Sequence, residues 1–135
     1  VIDAGGQNAQ STVVAASTET FANGARVRDS FVHPAYTYTL TGVLVDSSNA
    51  AISRISETVD PQTRYEYLQR FGVGEGSAVD FPGEQTGLLR PASDWDNQTV
   101  YNTTYGQGLT TTLPELVGAY GAIANDGERV PLTLV

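Results

Sequence analysis

The 135-residue chain contains neither cysteine nor lysine, and all seven of its basic residues are arginines. Without cysteine there are no disulfides, no thiolate zinc sites and no thiol nucleophile. Without lysine the chain has no amine base, Schiff-base former or phosphate-clamping ammonium of its own. A single histidine, His33, excludes a His-rich metal centre. No apolar run approaches the roughly 20 residues that span a bilayer. Positive charge is scarce: fifteen acidic residues against seven basic ones leave a formal net charge of −8. Such a surface repels phosphate backbones and anionic lipid, so no nucleic-acid partner is expected. With 40% hydrophobic and 16% charged residues the composition is that of a folded domain, and it excludes disorder and coiled coil. Val1 is not an initiator, and the chain is expected to be an excised piece with no leader of its own.

The turn signals divide the chain into short elements. Val1 to Gly6 reads as the last turn of a helix running into a glycine stop. Thr18 to Asp29 reads as a hairpin around Asn23-Gly24, a pair suited to a two-residue type I′ turn. Pro34 permits a helix start, and Leu40, Val43 and Leu44 recur at helical spacing up to Asp46, predicting a largely buried helix. A second helix follows Ser47-Ser48-Asn49, with Ile52, Ile55 and Val59 on its apolar stripe and Ser53, Arg54, Ser56 and Glu57 on the other faces. Asp60-Pro61 opens a third helix that ends at Phe71-Gly72. Residues 72–112 hold seven glycines and two prolines and read as ordered loop with at most one short strand. Thr112-Leu113-Pro114-Glu115 has the spacing of a capping box, and Leu116, Val117, Tyr120 and Ile123 stripe the helix it starts.

Few residues offer chemistry. Ser47-Ser48-Asn49 sets a hydroxyl and a carboxamide two positions apart at an interhelical turn, where both can face one cleft. Nine serines and six asparagines make roughly 0.4 Ser-x-Asn matches by chance if positions are independent, so the alternative that Ser48 or Asn49 only caps the second helix stands beside it. His33 has no evident partner and is assigned a surface or packing role. Asp94-Trp95-Asp96-Asn97 lacks the glycine and closing glutamate of a calcium loop. Gly106-Gln107-Gly108 lacks the lysine of a phosphate loop and reads as a tight backbone approach. No cofactor and no metal are called for.

Read in order, the pieces carry more. Ser47-Ser48-Asn49 precedes an Ala-Ala-Ile helix; Tyr67 to Gly74 follows; then come Asp80-Phe81-Pro82-Gly83-Glu84 with Gly87, Gly106-Gln107-Gly108 leading to Thr112 to Leu116, and Ala119 to Gly127. This succession resembles the transpeptidase domain of class B penicillin-binding proteins, the septal and elongation peptidoglycan cross-linking enzymes, over about residues 1–5 and 40–135. That family uses Ser-x-x-Lys, Ser-x-Asn and Lys-Thr-Gly signatures, and this chain carries the middle one alone. The resemblance implies an α+β, mainly helical fragment: residues 1–135 as part of the helical lobe of the serine β-lactamase and D,D-peptidase fold. A short β-hairpin lies near the N-terminus, and the nucleophile and catalytic sheet are not included. Pro131 to Val135 resembles the lead-in to the missing strand.

The same resemblance assigns Ser47 to the proton relay around the nucleophile and the leaving amine, and the Asn49 amide to a substrate carbonyl, with Ser48 pointing away from the cleft. It implies stem peptides ending in D-Ala-D-Ala and β-lactams as ligands, the remainder of the same domain as partner, and a site on the extracytoplasmic side of the membrane. Two other readings keep the lobe: a serine β-lactamase or D,D-carboxypeptidase, and a non-catalytic module that binds a cell-wall glycan or a partner.

Overall fold

The computed structural model describes residues 1–79 and 82–133. Four short strands come first: β1 (Thr12–Ala15), β2 (Thr18–Thr20), β3 (Arg26–Arg28) and β4 (Tyr36–Thr39). Five helices follow: α1 (Leu40–Asp46), α2 (Asn49–Ser56), α3 (Pro61–Arg70), α4 (Thr99–Asn102) and α5 (Leu113–Ala124). Single 3₁₀ turns occupy Ala92–Asp94 and Thr103–Tyr105. The mainly helical α+β class is therefore as expected. None of the described helices is long and apolar enough to cross a membrane.

The expected hairpin is β2 paired antiparallel with β3, with Glu19 opposite Val27. Its turn differs from the expectation. Gly24 N–H donates to Phe21 O at 2.9 Å and Gly24 alone adopts positive φ, at +86°. Asn23 keeps negative φ, so the connection is a type I turn followed by a left-handed glycine, not a type I′ turn. A second pairing is one that the local sequence does not signal: β1 runs antiparallel to β4, with Val13 opposite Tyr38. Pro34 therefore leads into a strand, and α1 starts only at Leu40, where the Thr39 hydroxyl accepts from Gly42 N–H. Leu40 and Val43 are buried as expected, whereas Leu44 and Val45 are more than 70% exposed. Residues 1–6 form a turn closed by Gln7 N–H on Val1 O at 3.2 Å, with Gly6 in the left-handed region at φ +64°, the conformation of the expected glycine stop.

Two apolar clusters meet across α2. One gathers Ala15, Tyr38, Leu40, Val43, Ala50, Ala51 and Ile55; the other gathers Phe21, Ala25, Val27 and Tyr101. Helix α2 touches β1, β3, α1, α4 and the 103–105 turn. It does so because its inner faces carry small side chains: Ala50, Ala51 and Ser53 are fully buried and Ser56 nearly so. The faces carrying Ser53 and Ser56, expected to lie off the apolar stripe, are thus buried as well. Buried hydroxyls need partners; Ser53 Oγ meets Thr104 Oγ1 at 3.2 Å, and Ser56 Oγ donates to Ser53 O at 2.6 Å.

Helix α3 starts as read, with the Asp60 carboxylate accepting from Thr63 N–H at 2.9 Å and Pro61 in the first turn. Within 72–112 the one paired strand-like contact among the described residues is the Leu88–Thr110 bridge. Asp80 and Phe81 of the Pro82-Gly83-Glu84 motif, and Leu134 and Val135 of the terminal lead-in, lie outside the described residues. Gly106 and Gly108 both hold positive φ, and a Cβ on Gly108 would come to 3.3 Å from the Thr99 methyl. The expected close approach is thus found at Gly108 alone and against side chains; Gly106 has open space around it, and its glycine serves the left-handed backbone.

The capping box at α5 is complete, and its glutamate does more than cap. Glu115 Oε1 accepts from Gly76 N–H at 3.2 Å and Gly87 N–H at 2.8 Å, while Oε2 accepts from Thr111 Oγ1 at 2.9 Å and Thr112 N–H at 3.0 Å. One buried carboxylate thereby fastens two distant parts of the long loop to the helix start. A Cβ on Gly87 would fall 2.3 Å from Thr110 O and 2.5 Å from Glu115 Oε2. Burial pushes the Glu115 carboxyl up, but these donors outweigh burial and hold it below its ordinary value of 4.5. Its stabilising contribution is present above that value and is lost as pH falls through the lower folded value. We expect Glu115→Ala to cost about 2–3 kcal/mol, since buried donors lose their acceptor. Urea unfolding of the protein at pH 7 and at pH 3 checks this, the penalty shrinking at the acid end.

Candidate active site

The expected interhelical turn is present, with Ser47 and Ser48 linking α1 to α2 and Asn49 as the first residue of α2. Ser47 closes α1 in the left-handed region, at φ +53° and ψ +43°. Its N–H reaches Leu44 O at 3.3 Å, and the Ser48 N–H reaches Val43 O at 3.1 Å. This is a Schellman stop with serine at the position usually held by glycine. The Ser47 side chain is exposed, and its hydroxyl has no hydrogen-bond partner among the described residues.

Ser48 is the N-cap of α2: its Oγ accepts from Ala51 N–H at 3.0 Å. The cap-only alternative thus holds for Ser48, but its side chain does not point idly away. It is 3% exposed and donates to Asp29 Oδ2 at 2.8 Å. Asn49 is half-buried, and its Nδ2 donates to Arg28 O at 3.3 Å. That bond leaves the second amide N–H and the Oδ1 of Asn49 for other partners.

The segment between β3 and β4 supplies the groups that meet this turn. Asp29 Oδ1 accepts from Ala50 N–H at 2.9 Å, and Oδ2 accepts from both Ser48 Oγ and His33 Nε2, the latter at 2.9 Å. The two side chains of this pair are 2% and 3% exposed. His33 Nδ1 stands 2.7 Å from Pro34 O, and its ring stacks on Tyr36 at a 4.9 Å centroid distance and 3° between planes. Both ring nitrogens therefore face acceptors, a demand met in full only by the protonated imidazole. The hydrogen bonds to Asp29 and to the Pro34 carbonyl, aided by the charges of Asp29 and Asp46 and opposed by burial, raise the His33 pKa above 6.5.

His33, expected to have no evident partner, is hydrogen-bonded to the buried Asp29 carboxylate, in keeping with its expected packing role. The four-residue spacing from Asp29 to His33 was the available signal. A carboxylate closing a predicted hairpin, followed by an imidazole within reach, is a pair worth testing. In the Asp94 to Asn97 segment, Asp96 Oδ1 accepts from Thr99 N–H at 2.6 Å, and Asn97 Nδ2 donates to Asn23 O at 2.7 Å, tying the segment to the β2–β3 turn.

The family described as penicillin binding protein transpeptidase domain matches residues 6–135. The chain is 42% identical over 112 residues to penicillin-binding protein PbpB of Mycobacterium tuberculosis, which covers 83% of this chain and 16% of that protein. To the peptidoglycan D,D-transpeptidase FtsI of Escherichia coli it is 30% identical over 96 residues, 71% of this chain and 16% of the relative. The crystal structure of apo penicillin binding protein 3 from Mycobacterium tuberculosis superposes with a TM-score of 0.92 at 38% identity, over 98% of this chain and 30% of that one. The chain therefore belongs to the penicillin-binding protein transpeptidase domain family. The match takes in residues 6–39, the stretch that motif order could not place. The chain spans about a sixth of the length of these curated relatives. Nothing in these relatives favours the β-lactamase or the non-catalytic reading.

The His33 pair predicts a pH-dependent stability. A histidine whose folded pKa is raised contributes fully below its unfolded value and loses that contribution as pH rises through the folded value. Besides Asp29 and Asp46, the titratable groups facing the ring are Tyr36 and Tyr38. The difference in melting temperature between the native protein and His33→Gln should be widest below about pH 6.5 and should close as pH rises through the raised folded value. Thermal melts across that range measure it.

Proposed function

We propose that these residues form part of the helical lobe of a peptidoglycan D,D-transpeptidase, with Ser47 and Asn49 on the wall of the cleft facing the nucleophile. The observation that carries the reading is Ser47. An exposed, unbonded hydroxyl stands on a left-handed residue where glycine would be less strained, at φ +53°. Backbone strain of this kind, about 1–3 kcal/mol, persists where a side chain is needed.

In the reaction so assigned, a serine outside this chain attacks the carbonyl of the penultimate D-Ala. A tetrahedral intermediate forms, the terminal D-Ala leaves as an amine, and an acyl-enzyme remains for transfer to a second stem peptide. The departing nitrogen needs a proton, and this reading assigns its relay to the Ser47 hydroxyl. The Asn49 amide keeps one N–H for an acyl-side carbonyl while Arg28 O holds the other. Fixing that carbonyl matters, because a displacement near 1 Å costs about a hundredfold in rate. β-Lactams present an equivalent carbonyl; the solved penicillin binding protein 3 of Mycobacterium tuberculosis includes an ampicillin complex. Chemistry on cell-wall stem peptides sets the site on the outer side of the cytoplasmic membrane.

The partner assigned to the open faces is the remainder of the same domain. Leu116, Val117, Tyr120 and Ile123 on α5 are 42–70% exposed, and with Leu44 and Val45 on α1 they leave apolar surface unfilled. The site is incomplete within these 135 residues, which hold no lysine to activate a serine; the isolated chain should take up no labelled penicillin by mass spectrometry.

In the complete enzyme, Asn49→Ala should slow acylation by a penicillin about tenfold to hundredfold, the loss of one directed hydrogen bond worth about 1–3 kcal/mol. Ser47→Gly should also slow acylation, while its melting temperature holds or rises, because glycine relieves the left-handed strain. Ser48→Ala should lower stability by about 1–3 kcal/mol, since a cap and an Asp29 contact go together. Second-order acylation rates and thermal midpoints for the three variants separate these roles. A normal rate in Asn49→Ala would reduce the motif to a helix start.

A further inference from the structure

The contacts of Arg28 and Asp29 fall on three consecutive residues. Arg28 O takes the Asn49 amide, Asp29 Oδ2 takes the Ser48 hydroxyl, and Asp29 Oδ1 takes the Ala50 N–H. The first residues of α2 are thus hung from the end of β3, a strand more than 20 residues earlier in the chain. The Asp29 backbone is fixed as well, its N–H donating to Ser17 O at 2.9 Å. The carboxylate cannot turn freely, because His33 Nε2 holds Oδ2 while His33 itself is pinned by Pro34 O and stacked on Tyr36. A 2% exposed carboxylate has few other ways to be satisfied.

We propose that Asp29, oriented by His33, is a positioning residue for Asn49. It sets where the first turn of α2 stands relative to β3, and with it the direction in which the Asn49 carboxamide presents its free N–H. Ser47 gains from the same restraint, because Ser48 is its neighbour on the link. Asp29 and His33 touch no substrate in this scheme; they act through Ser48, Asn49 and Ala50. The inference rests on the reading of Asn49 as a substrate-binding amide.

The test is a double-mutant cycle in the complete enzyme, read as the second-order rate of acylation by a fluorescent penicillin per folded molecule. Asp29→Ala and Asn49→Ala should each slow acylation about tenfold to hundredfold. The double variant should be within about threefold of the slower single one, because a displaced Asn49 and a missing one are equivalent. Asp29→Asn, which keeps an oxygen for the Ala50 N–H, should recover part of the rate. A residue that merely supports the fold would lower the melting temperature while leaving the rate per folded molecule intact.

The outcomes are distinct. A normal rate in Asn49→Ala overturns the site reading and this inference with it. A slow Asn49→Ala beside a normal Asp29→Ala overturns the positioning role alone, as does a double variant whose two losses multiply. Should Asp29→Ala fail to fold, the same cycle is run with His33→Leu, which leaves the Asp29 bonds to α2 but frees the carboxylate to turn. That variant should be slowed about threefold to tenfold, again without multiplying the loss in Asn49→Ala, and a full rate in it overturns the proposal.

Discussion

Helix α2 can be buried on nearly every side only because it has so little side chain to bury. Ala50, Ala51 and Ser53 let β1, β3, α1, α4 and the 103–105 turn close on the helix together. A larger residue at any of these positions would push apart the two apolar clusters that meet there, and close-packed interiors do not absorb such volume cheaply. Because α2 is held so tightly, the Ser47 and Asn49 positions at its start inherit its rigidity. The Ser53 hydroxyl adds specificity: its partner, Thr104 Oγ1, lies outside α2, so the helix cannot slide or roll without stranding a buried polar atom, whereas Ser56 Oγ is satisfied within the helix by Ser53 O.

Two buried carboxylates do similar work at opposite ends of the sequence. Glu115 collects donors from the 72–112 loop, and Asp29 collects them from the start of α2 and from His33. In each case irregular backbone that could not satisfy itself is fastened to a regular element by one acceptor-rich side chain. The glycines around Glu115 belong to the same arrangement, since Gly87 leaves room for both Thr110 O and the carboxylate. The acidity of the chain is in this respect partly internal.

Much of this was legible locally. The Asp60-Pro61 start, the Thr112 capping box, the β2–β3 hairpin and the link at Ser47-Ser48 all follow from rules that span four or five residues, and each is found. The β1–β4 pairing was not legible, because Thr12 and Thr39 are brought together by tertiary packing across the intervening hairpin. Asn23-Gly24 misled because the dipeptide suits more than one turn, and the choice of type I lay with the flanking strands. Ser53 and Ser56 lie off the apolar stripe of Ile52, Ile55 and Val59, yet small hydroxyl residues fit a crowded interior when a carbonyl or hydroxyl lies within reach. The Ser47 and Asn49 positions came from motif order, while Asp29 and His33 escaped notice because neither belongs to that motif.

The left-handed backbone at Ser47 narrows what this position can become. A β-branched side chain is strongly disfavoured at φ +53°, so threonine, the other small hydroxyl residue, cannot simply replace serine there. Glycine and asparagine suit the backbone but carry no hydroxyl, and alanine has neither advantage. Helix termination and the presentation of a hydroxyl are thus demands on a single Cα that serine alone among the common residues meets together. The position has almost no neutral neighbours in sequence space, and a change there must give up either the sharp end of α1 or the exposed hydroxyl of the link.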